Sequence, residues 1–224
     1  MKTPITLRSL KQHFTYSWWK YLLAVVASVA LVSLLFDVTA PRTPDEKKVE
    51  FYVYGSTNNE LLPPLLEKIH QTEMQDMEEF SSVTLAPDDT YGPMQLMTYL
   101  YAGEGDLYLL SKEQFVSFAS SGALYPLEDD QQLMDLFTAS NISLQSGWRK
   151  EAETGKSHLY GIPQNKIPGL YHYALADNGF LCITINGGNI ENTLRFLRIL
   201  CRDMLREETV AADDPSFTAA PSVP

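Results

Sequence analysis

The sequence has 224 residues, a formal charge of −11 and two cysteines. The first 20 residues contain four cations (Lys2, Arg8, Lys11 and Lys20) and no acidic residue, so the rest of the chain carries a formal charge of −15. A chain this acidic repels nucleic acid and anionic lipid headgroups, and we therefore expect no nucleic-acid partner. Roughly 165 residues remain after the apolar N-terminal part and a short tail are set aside, which is enough for one domain with a real core.

The first predicted element is an apolar run from Trp18 to Phe36, whose only charged residue, Lys20, lies near its start. As a helix at 1.5 Å per residue, the run spans about 28 Å, close to the hydrocarbon thickness of a bilayer. The cations before it place the N-terminus in the cytoplasm and the chain after Asp37 outside the cell. We therefore predict a single-pass protein of the cell membrane, with a cytoplasmic arm (1–17), a transmembrane helix (18–36) and a polar linker (37–48).

Two alternatives to an anchor are a buried core helix and a cleaved signal peptide. The core helix is disfavoured because the run is apolar on every face and follows a basic arm. Cleavage remains open, because Val38-Thr39-Ala40 has small residues at the positions that signal peptidase requires. Pro41 directly after that point disfavours cleavage, and the apolar run is longer than an ordinary signal core. The sequence therefore favours an anchor that is kept.

The segment 49–210 alternates between strand and helix patterns, which indicates βαβ units. Strands are predicted at 49–54, 82–85, 106–110 and 180–185, extended segments at 124–127 and 159–163, and helices at 59–80, 92–102, 112–121, 131–137 and 191–205. The run 180–185 is apolar on both faces and is expected to insert beside the earlier strands. This predicts a three-layer α/β domain with a mostly parallel sheet, whereas residues 211–224, rich in alanine and proline, are predicted to be disordered.

The sequence contains no pattern that indicates catalysis: no GxSxG nucleophile elbow, no glycine-rich phosphate loop and no HExxH occur. The four histidines are scattered without metal-ligand spacing, so we expect no metal, no cofactor and no enzyme activity. The acidic clusters Asp88-Asp89 and Glu128-Asp129-Asp130 imitate a carboxylate dyad, but their positions in a loop and before helices fit capping better. Cys182 and Cys201 lie in apolar runs, which favours two buried thiols over a disulfide.

Four segments, taken as an ordered set, carry a resemblance to a known family: 51–54 (FYVY), 102–109 (AGEGDLYL), 122–127 (GALYPL) and 159–163 (LYGIP). The set resembles the extracellular solute-binding proteins of ABC importers and covers about residues 49–165. The resemblance implies one lobe of a periplasmic-binding-protein type 2 fold, a small sugar or peptide as ligand and a membrane permease as partner. Family members are about twice as long and clamp their ligand between two lobes, whereas almost all of a second lobe is missing here.

Two functions follow from this resemblance. The first is a membrane-anchored, non-catalytic binding or accessory module. The second is a protein-interaction or sensor ectodomain that has lost solute binding. Retained ligand contacts at the strand ends would favour the first function, and an exposed apolar patch there would favour the second.

The expected ligand site lies beyond the carboxyl ends of the predicted strands, where open α/β sheets bind their ligands. Polar and aromatic residues follow three of these ends, and Tyr160 lies at a fourth position near the same rim. Tyrosines there suit stacking on a sugar face, and hydroxyls suit hydrogen bonds to sugar hydroxyls. The candidate residues are Tyr54, Ser56, Thr57, Tyr91, Ser111 and Tyr160. The alternative is that the serines and threonine only cap helices and the tyrosines only cover the sheet end.

Overall fold

The computed structural model of the chain describes residues 7–39, 43–88 and 91–213, with side chains described in 18–36, 43–88 and 91–205. The chain forms two separate compact units, residues 1–42 and residues 43–224.

The first unit is built around one long helix, α1 (Leu7–Thr39). Its segment Trp18–Phe36 has a mean hydropathy of 2.0 and none of it is buried. Within the described residues this is the one helix long and apolar enough to cross a membrane, a test that signal sequences also pass. The helix also includes the end of the predicted basic arm and the start of the predicted linker.

The second unit holds the remaining elements in its described part. The strands are β1 (Lys48–Tyr54), β2 (Ser56–Thr57), β3 (Glu79–Leu85), β4 (Leu107–Leu110), β5 (Trp148–Lys150), β6 (Ser157–Leu159), β7 (Ile162–Pro163), β8 (Ala174–Leu175) and β9 (Phe180–Ile183). The helices are α2 (Leu62–Glu73), α3 (Gly92–Ala102), α4 (Lys112–Ser120), α5 (Gln131–Ala139) and α6 (Ile190–Asp213).

Five of these strands form the central sheet, in the order β3-β1-β4-β9-β7. β1 pairs in parallel with β3 and β4, whereas β9 pairs antiparallel with both β4 and β7. Four strands therefore run in one direction and β9 alone runs against them. The prediction of a mostly parallel α/β sheet, with 180–185 inserted beside the earlier strands, is confirmed.

Helices cover both faces of the sheet, and a separate apolar core lies on each face. α2, α5 and α6 pack on one face around residues such as Phe51, Leu109 and Phe196. α3 and α4 pack on the other face around residues such as Tyr108 and Phe115. Successive residues of each strand point to opposite faces, so buried strands feed both cores, and the domain has the predicted three layers.

The largest error of the sequence analysis concerns the helix predicted at 59–80. α2 ends at Glu73, and β3 already begins at Glu79. Met77 continues the helical spacing of apolar residues over 59–80, but it lies in the loop between α2 and β3. Its side chain is buried there, and its carbonyl oxygen lies 2.8 Å from His70 Nε2. The spacing of apolar residues indicates which residues are buried, but not whether the backbone between them is helical. A buried apolar residue in a tight loop can therefore fit a helical pattern.

The ends of the folded unit also differ from the expected bounds. Residues 45–47 of the predicted linker form a short 3₁₀ helix, and the Asn189 side-chain amide donates to the carbonyls of Glu46 and Lys48 at 3.1 Å each. At the other end, α6 continues to Asp213, so the first three residues of the predicted disordered tail are helical. Residues 214–224 of that tail lie outside the described residues.

The two cysteines are free and buried. Cys182 on β9 faces the core beneath α3 and α4, whereas Cys201 on α6 belongs to the core of the opposite face. The sheet therefore separates the two thiols, and the interpretation as two buried thiols is confirmed.

Candidate functional site

Two concave pockets lie side by side at the carboxyl edge of the parallel strands. The larger, of about 330 Å³, follows β1 and is lined by residues of the segments 56–58 and 171–175. The smaller, of about 240 Å³, lies where β4 and β7 end and β9 begins, and Lys112, Arg149 and Asn178 are among its lining residues. Tyr171 lines both pockets, so the two adjoin at this residue and are treated together as the candidate site.

The larger pocket exists because a small ribbon forms directly after β1. β2 pairs antiparallel with β8, with Ser56 opposite Leu175 and Thr57 opposite Ala174. The turn into this ribbon needs glycine, because a Cβ on Gly55 would lie 2.1 Å from the carbonyl oxygen of Leu175. The chain thus turns sharply at the strand end and presents Ser56 and Thr57 at the rim.

A buried glutamine holds the loop between the two pockets. Gln164 has no exposed surface, its Nε2 donates to the Ala174 carbonyl at 2.6 Å, and its Oε1 accepts from the Ala176 amide at 3.3 Å. Its own amide donates to the Gly179 carbonyl at 2.8 Å. Because a buried amide with satisfied donors and acceptors is costly to disrupt, Gln164 fixes the 174–179 loop against the sheet edge.

Arg149 is held in the smaller pocket by aromatic rings. Its guanidinium carbon lies 5.1 Å from the ring centroid of Phe115 and 5.9 Å from that of Phe180, and these two rings stack with centroids 4.2 Å apart. The guanidinium also donates to the Trp148 carbonyl at 2.7 Å. These cation–π contacts and the hydrogen bond restrict the guanidinium and leave further N–H groups for a ligand.

Tyr171, which joins the pockets, is partly exposed. Burial raises the pKa of its hydroxyl. Like other tyrosine hydroxyls, the group is protonated at neutral pH and can donate a hydrogen bond. An aromatic face with a hydroxyl donor suits the apolar face and hydroxyl rim of a sugar ring.

The structure brings some of the predicted site residues together. Ser56 and Thr57 line the larger pocket, and Ser111 directly precedes Lys112 of the smaller one. Thr57 Oγ1 lies 2.7 Å from Thr84 Oγ1, and Ser111 Oγ accepts from the Gln114 amide at 3.5 Å, so both hydroxyls also serve the fold. Ser56 is exposed and has no hydrogen-bond partner for its hydroxyl among the described residues.

The three predicted tyrosines lie elsewhere. Tyr54 and Tyr160 are only 5% and 3% exposed and belong to the core under α3 and α4, so little of either ring is open for stacking. Burial also raises the pKa of Tyr160. Tyr91 is 72% exposed at the start of α3 and lines neither pocket. A ligand role for these residues stays a prediction.

Several residues of the site were missed by the sequence analysis: Lys112, Arg149, Asn165, Tyr171 and Asn178. Most of them lie in the segment 139–177, where the helix and strand signals are weak and only 159–163 is predicted to be extended. A cluster of asparagine and aromatic residues in a stretch without periodicity was the available signal, because ligand-contacting residues concentrate on loops.

The acidic residues suspected of imitating a dyad have structural partners. Asp88 Oδ1 accepts from the Gly92 amide at 3.2 Å at the start of α3, and Asp130 Oδ1 accepts from the Leu133 amide at 2.9 Å at the start of α5. Glu128 binds the amide of Leu159 at 2.9 Å and the ring of His158. Asp89 and Thr90 lie outside the described residues. In the part of the chain that is described, no group of three or more histidine, cysteine or acidic side chains has metal-binding geometry.

Comparison with known proteins gives structural matches only. No family profile matches the sequence, and no curated protein sequence matches it significantly. Among solved structures, the chain is similar to an extracellular solute-binding protein of family 1 from Alicyclobacillus acidocaldarius, with 21% identity and a TM-score of 0.40. It is also similar to the ABC substrate-binding protein Lmo0181 from Listeria monocytogenes in complex with cycloalternan (19%, 0.39) and to maltose-bound T. maritima MalE3 (24%, 0.38).

The extent of these matches is limited on both sides. They cover 52%, 51% and 52% of this chain, and 27%, 28% and 28% of the three solute-binding proteins. The similarity to solute-binding proteins therefore covers about half of this chain and spans only about a quarter of theirs.

Proposed function

We propose that the chain is a membrane-anchored, extracellular, non-catalytic binding or accessory module that presents a one-sided site to a small sugar or peptide. The observation that carries this proposal is the pair of adjoining pockets at the carboxyl edge of the sheet, joined by Tyr171. The module acts beside a membrane permease or another membrane protein, to which α1 keeps it close as an uncleaved anchor.

The chemistry of the rim supports a polar ligand. The larger pocket is lined by the exposed hydroxyl of Ser56 and by Asn58, and the smaller one by Asn165 and Asn178. Neutral donors and acceptors around an aromatic ring are what a sugar or a peptide backbone needs for orientation.

A single lobe sets the expected strength of binding. The pockets are open on one side, so they bury less of a ligand than a closed two-lobed cleft does. The proposed module does not close a second lobe over its ligand, a motion that would exclude water and strengthen the contacts. We therefore expect dissociation constants near 1 mM, about −4 kcal/mol.

The test is a ligand screen on the full chain in lipid nanodiscs, using saturation-transfer NMR with oligosaccharides and short peptides. A bound ligand should lose its saturation transfer in Tyr171→Ala and keep it in Tyr101→Ala. Tyr101 is a matched control because it is 77% exposed on α3 and lines neither pocket. No transfer from any ligand at 10 mM, or an equal loss in both variants, contradicts the proposal.

One observation favours the alternative function, a protein-interaction or sensor ectodomain without solute binding. α3 contains no charged residue, and its outer side carries an exposed apolar stripe at helical spacing. The stripe consists of Tyr91, Met94, Met97 and Tyr101. In an acidic domain, such an uncharged patch fits an uncharged surface of a partner protein.

Substitutions of Tyr171, in the pockets, and of Tyr101, in the stripe, distinguish the two functions. If the alternative holds, chemical crosslinking in cells should attach a partner protein to the wild-type chain and to Tyr171→Ala, and lose it in Met94→Ser and Tyr101→Ala. Crosslinking that is insensitive to the stripe variants contradicts the alternative.

A further inference from the structure

The smaller pocket contains two cations, and neither forms an ion pair with a carboxylate among the described residues. The Arg149 guanidinium donates to the Trp148 carbonyl and lies over the rings of Phe115 and Phe180, and the described residues include no ion pair of Lys112. The other described arginines behave differently, because each contacts an acidic side chain. These are Arg195 with Asp76, Arg198 with Asp130 and Arg202 with Glu73.

The pocket lining contains no acidic residue, although the chain after residue 20 carries a formal charge of −15. The remaining polar residues of the lining are Ser146, Asn165, Tyr171 and Asn178, all of them neutral. The carboxylate of Asp177, adjacent in sequence, accepts a hydrogen bond from Asn178 Nδ2 at 3.1 Å. It is not part of the lining.

The arrangement also lowers the entropy cost of binding an anion. The two ring contacts and the hydrogen bond to the Trp148 carbonyl already restrict the guanidinium, so less freedom is lost when it pairs with two oxygens of an anionic group. Salt weakens the repulsion between an anionic ligand and the acidic residues spread over the surface, because this repulsion acts over distances comparable with the Debye length. Salt weakens the direct contacts between the anionic group and the two pocket cations less.

We infer that the ligand of this site carries an anionic group, and specifically that it is an acidic saccharide whose carboxylate binds Arg149 and Lys112. The inference rests on the proposed function and narrows its ligand class. The neutral part of the saccharide then extends past Tyr171 toward the larger pocket, where Ser56 and Asn58 meet its hydroxyls.

The experiment uses two probes with the same trisaccharide backbone, trigalacturonate and its fully methyl-esterified form, titrated calorimetrically into the full chain in zwitterionic nanodiscs. The acid should bind at least about tenfold more tightly than the ester, as expected for a hydrogen-bonded charge pair. Arg149→Gln and Lys112→Gln should each remove this difference by weakening the binding of the acid. Lys68→Gln, the same charge change at an exposed lysine of α2 outside the pocket, should preserve it.

The outcomes separate this inference from the proposed function. Equal affinity for acid and ester overturns the anionic inference and leaves the proposed function standing. If inorganic phosphate binds and trigalacturonate does not, the site takes a small anion and the saccharide assignment is wrong. If neither saccharide binds at 10 mM and the wider ligand screen is also negative, both proposals fail.

Discussion

The most unusual single residue outside the site is Asp106, a carboxylate that is only 5% exposed at the start of β4. Its Oδ2 accepts from the Glu50 amide at 2.9 Å, which ties β4 to β1 at the amino edge of the sheet. Burial, together with the nearby carboxylate of Glu50, raises the pKa of Asp106 to about 6. The folded state therefore binds this proton more tightly than the unfolded state, where the pKa is near 3.9.

Asp106→Asn should consequently alter how stability depends on pH. The stabilisation from the protonated form is complete below about pH 4 and is lost as the pH rises through about 6. The variant, which cannot ionise there, should gain stability relative to the wild type by about 1–3 kcal/mol between pH 4 and pH 8. Urea unfolding at several pH values measures this difference. A difference that does not change with pH for Asp106→Asn would refute the prediction.

At the scale of elements, α4 and α5 are both capped by the side chain before their first residue, but the caps differ in geometry. Asp130 contacts the Leu133 amide at 2.9 Å and lies 3.8 Å from Arg198 Nε on α6. Ser111 contacts the Gln114 amide at 3.5 Å, the outer limit of a hydrogen bond. A charged cap at short distance stabilises a helix start more than a neutral cap at long distance.

Removing the two caps should therefore have unequal effects. We expect Asp130→Ala to lower the free energy of unfolding by about 1–2 kcal/mol and Ser111→Ala by about 0.5 kcal/mol. Asp129→Ala is the matched control, because it removes the same charge from an exposed neighbour of Asp130, and it should change stability by less than about 0.5 kcal/mol. Urea unfolding ranks the three variants, and an equal loss for Asp129 and Asp130 would attribute the effect to net charge alone.

At the scale of the whole molecule, the apolar helix and the α/β domain are separate units. Trp18–Phe36 has the length and hydropathy of a membrane span, and the basic residues lie before it. If α1 is kept as an anchor, the positive residues hold the N-terminus inside and the acidic domain lies outside.

Protease added to intact cells should then remove the domain and leave a small membrane-bound fragment. A tag at the N-terminus should be protected until the membrane is permeabilised, and a tag at the C-terminus should be lost at once. A soluble protein in the medium that begins at Pro41 would instead establish cleavage after Ala40.

The sequence alone determined the features that depend on near neighbours. Alternating strand and helix periods gave the α/β class and the positions of β1, β4 and α3. Glycine and proline indicate several helix ends. Gly103, with a φ of 71°, ends α3, and a pair of prolines lies in the first turn of α2. The apolar run at 18–36 was likewise readable, because hydropathy over a window needs no tertiary information.

Only the tertiary structure decided the direction of β9, the burial of Tyr54 and Tyr160, and the lining of the pockets. Arg149, Tyr171 and Asn178 reach the candidate site through the β2–β8 pairing and through the contacts of Gln164, which join segments far apart in the sequence. Periodicity reports which side of an element is buried, but not which distant loop folds over a strand end. The fold class was therefore accessible from local physics, whereas the site depends on packing between loops that have no period.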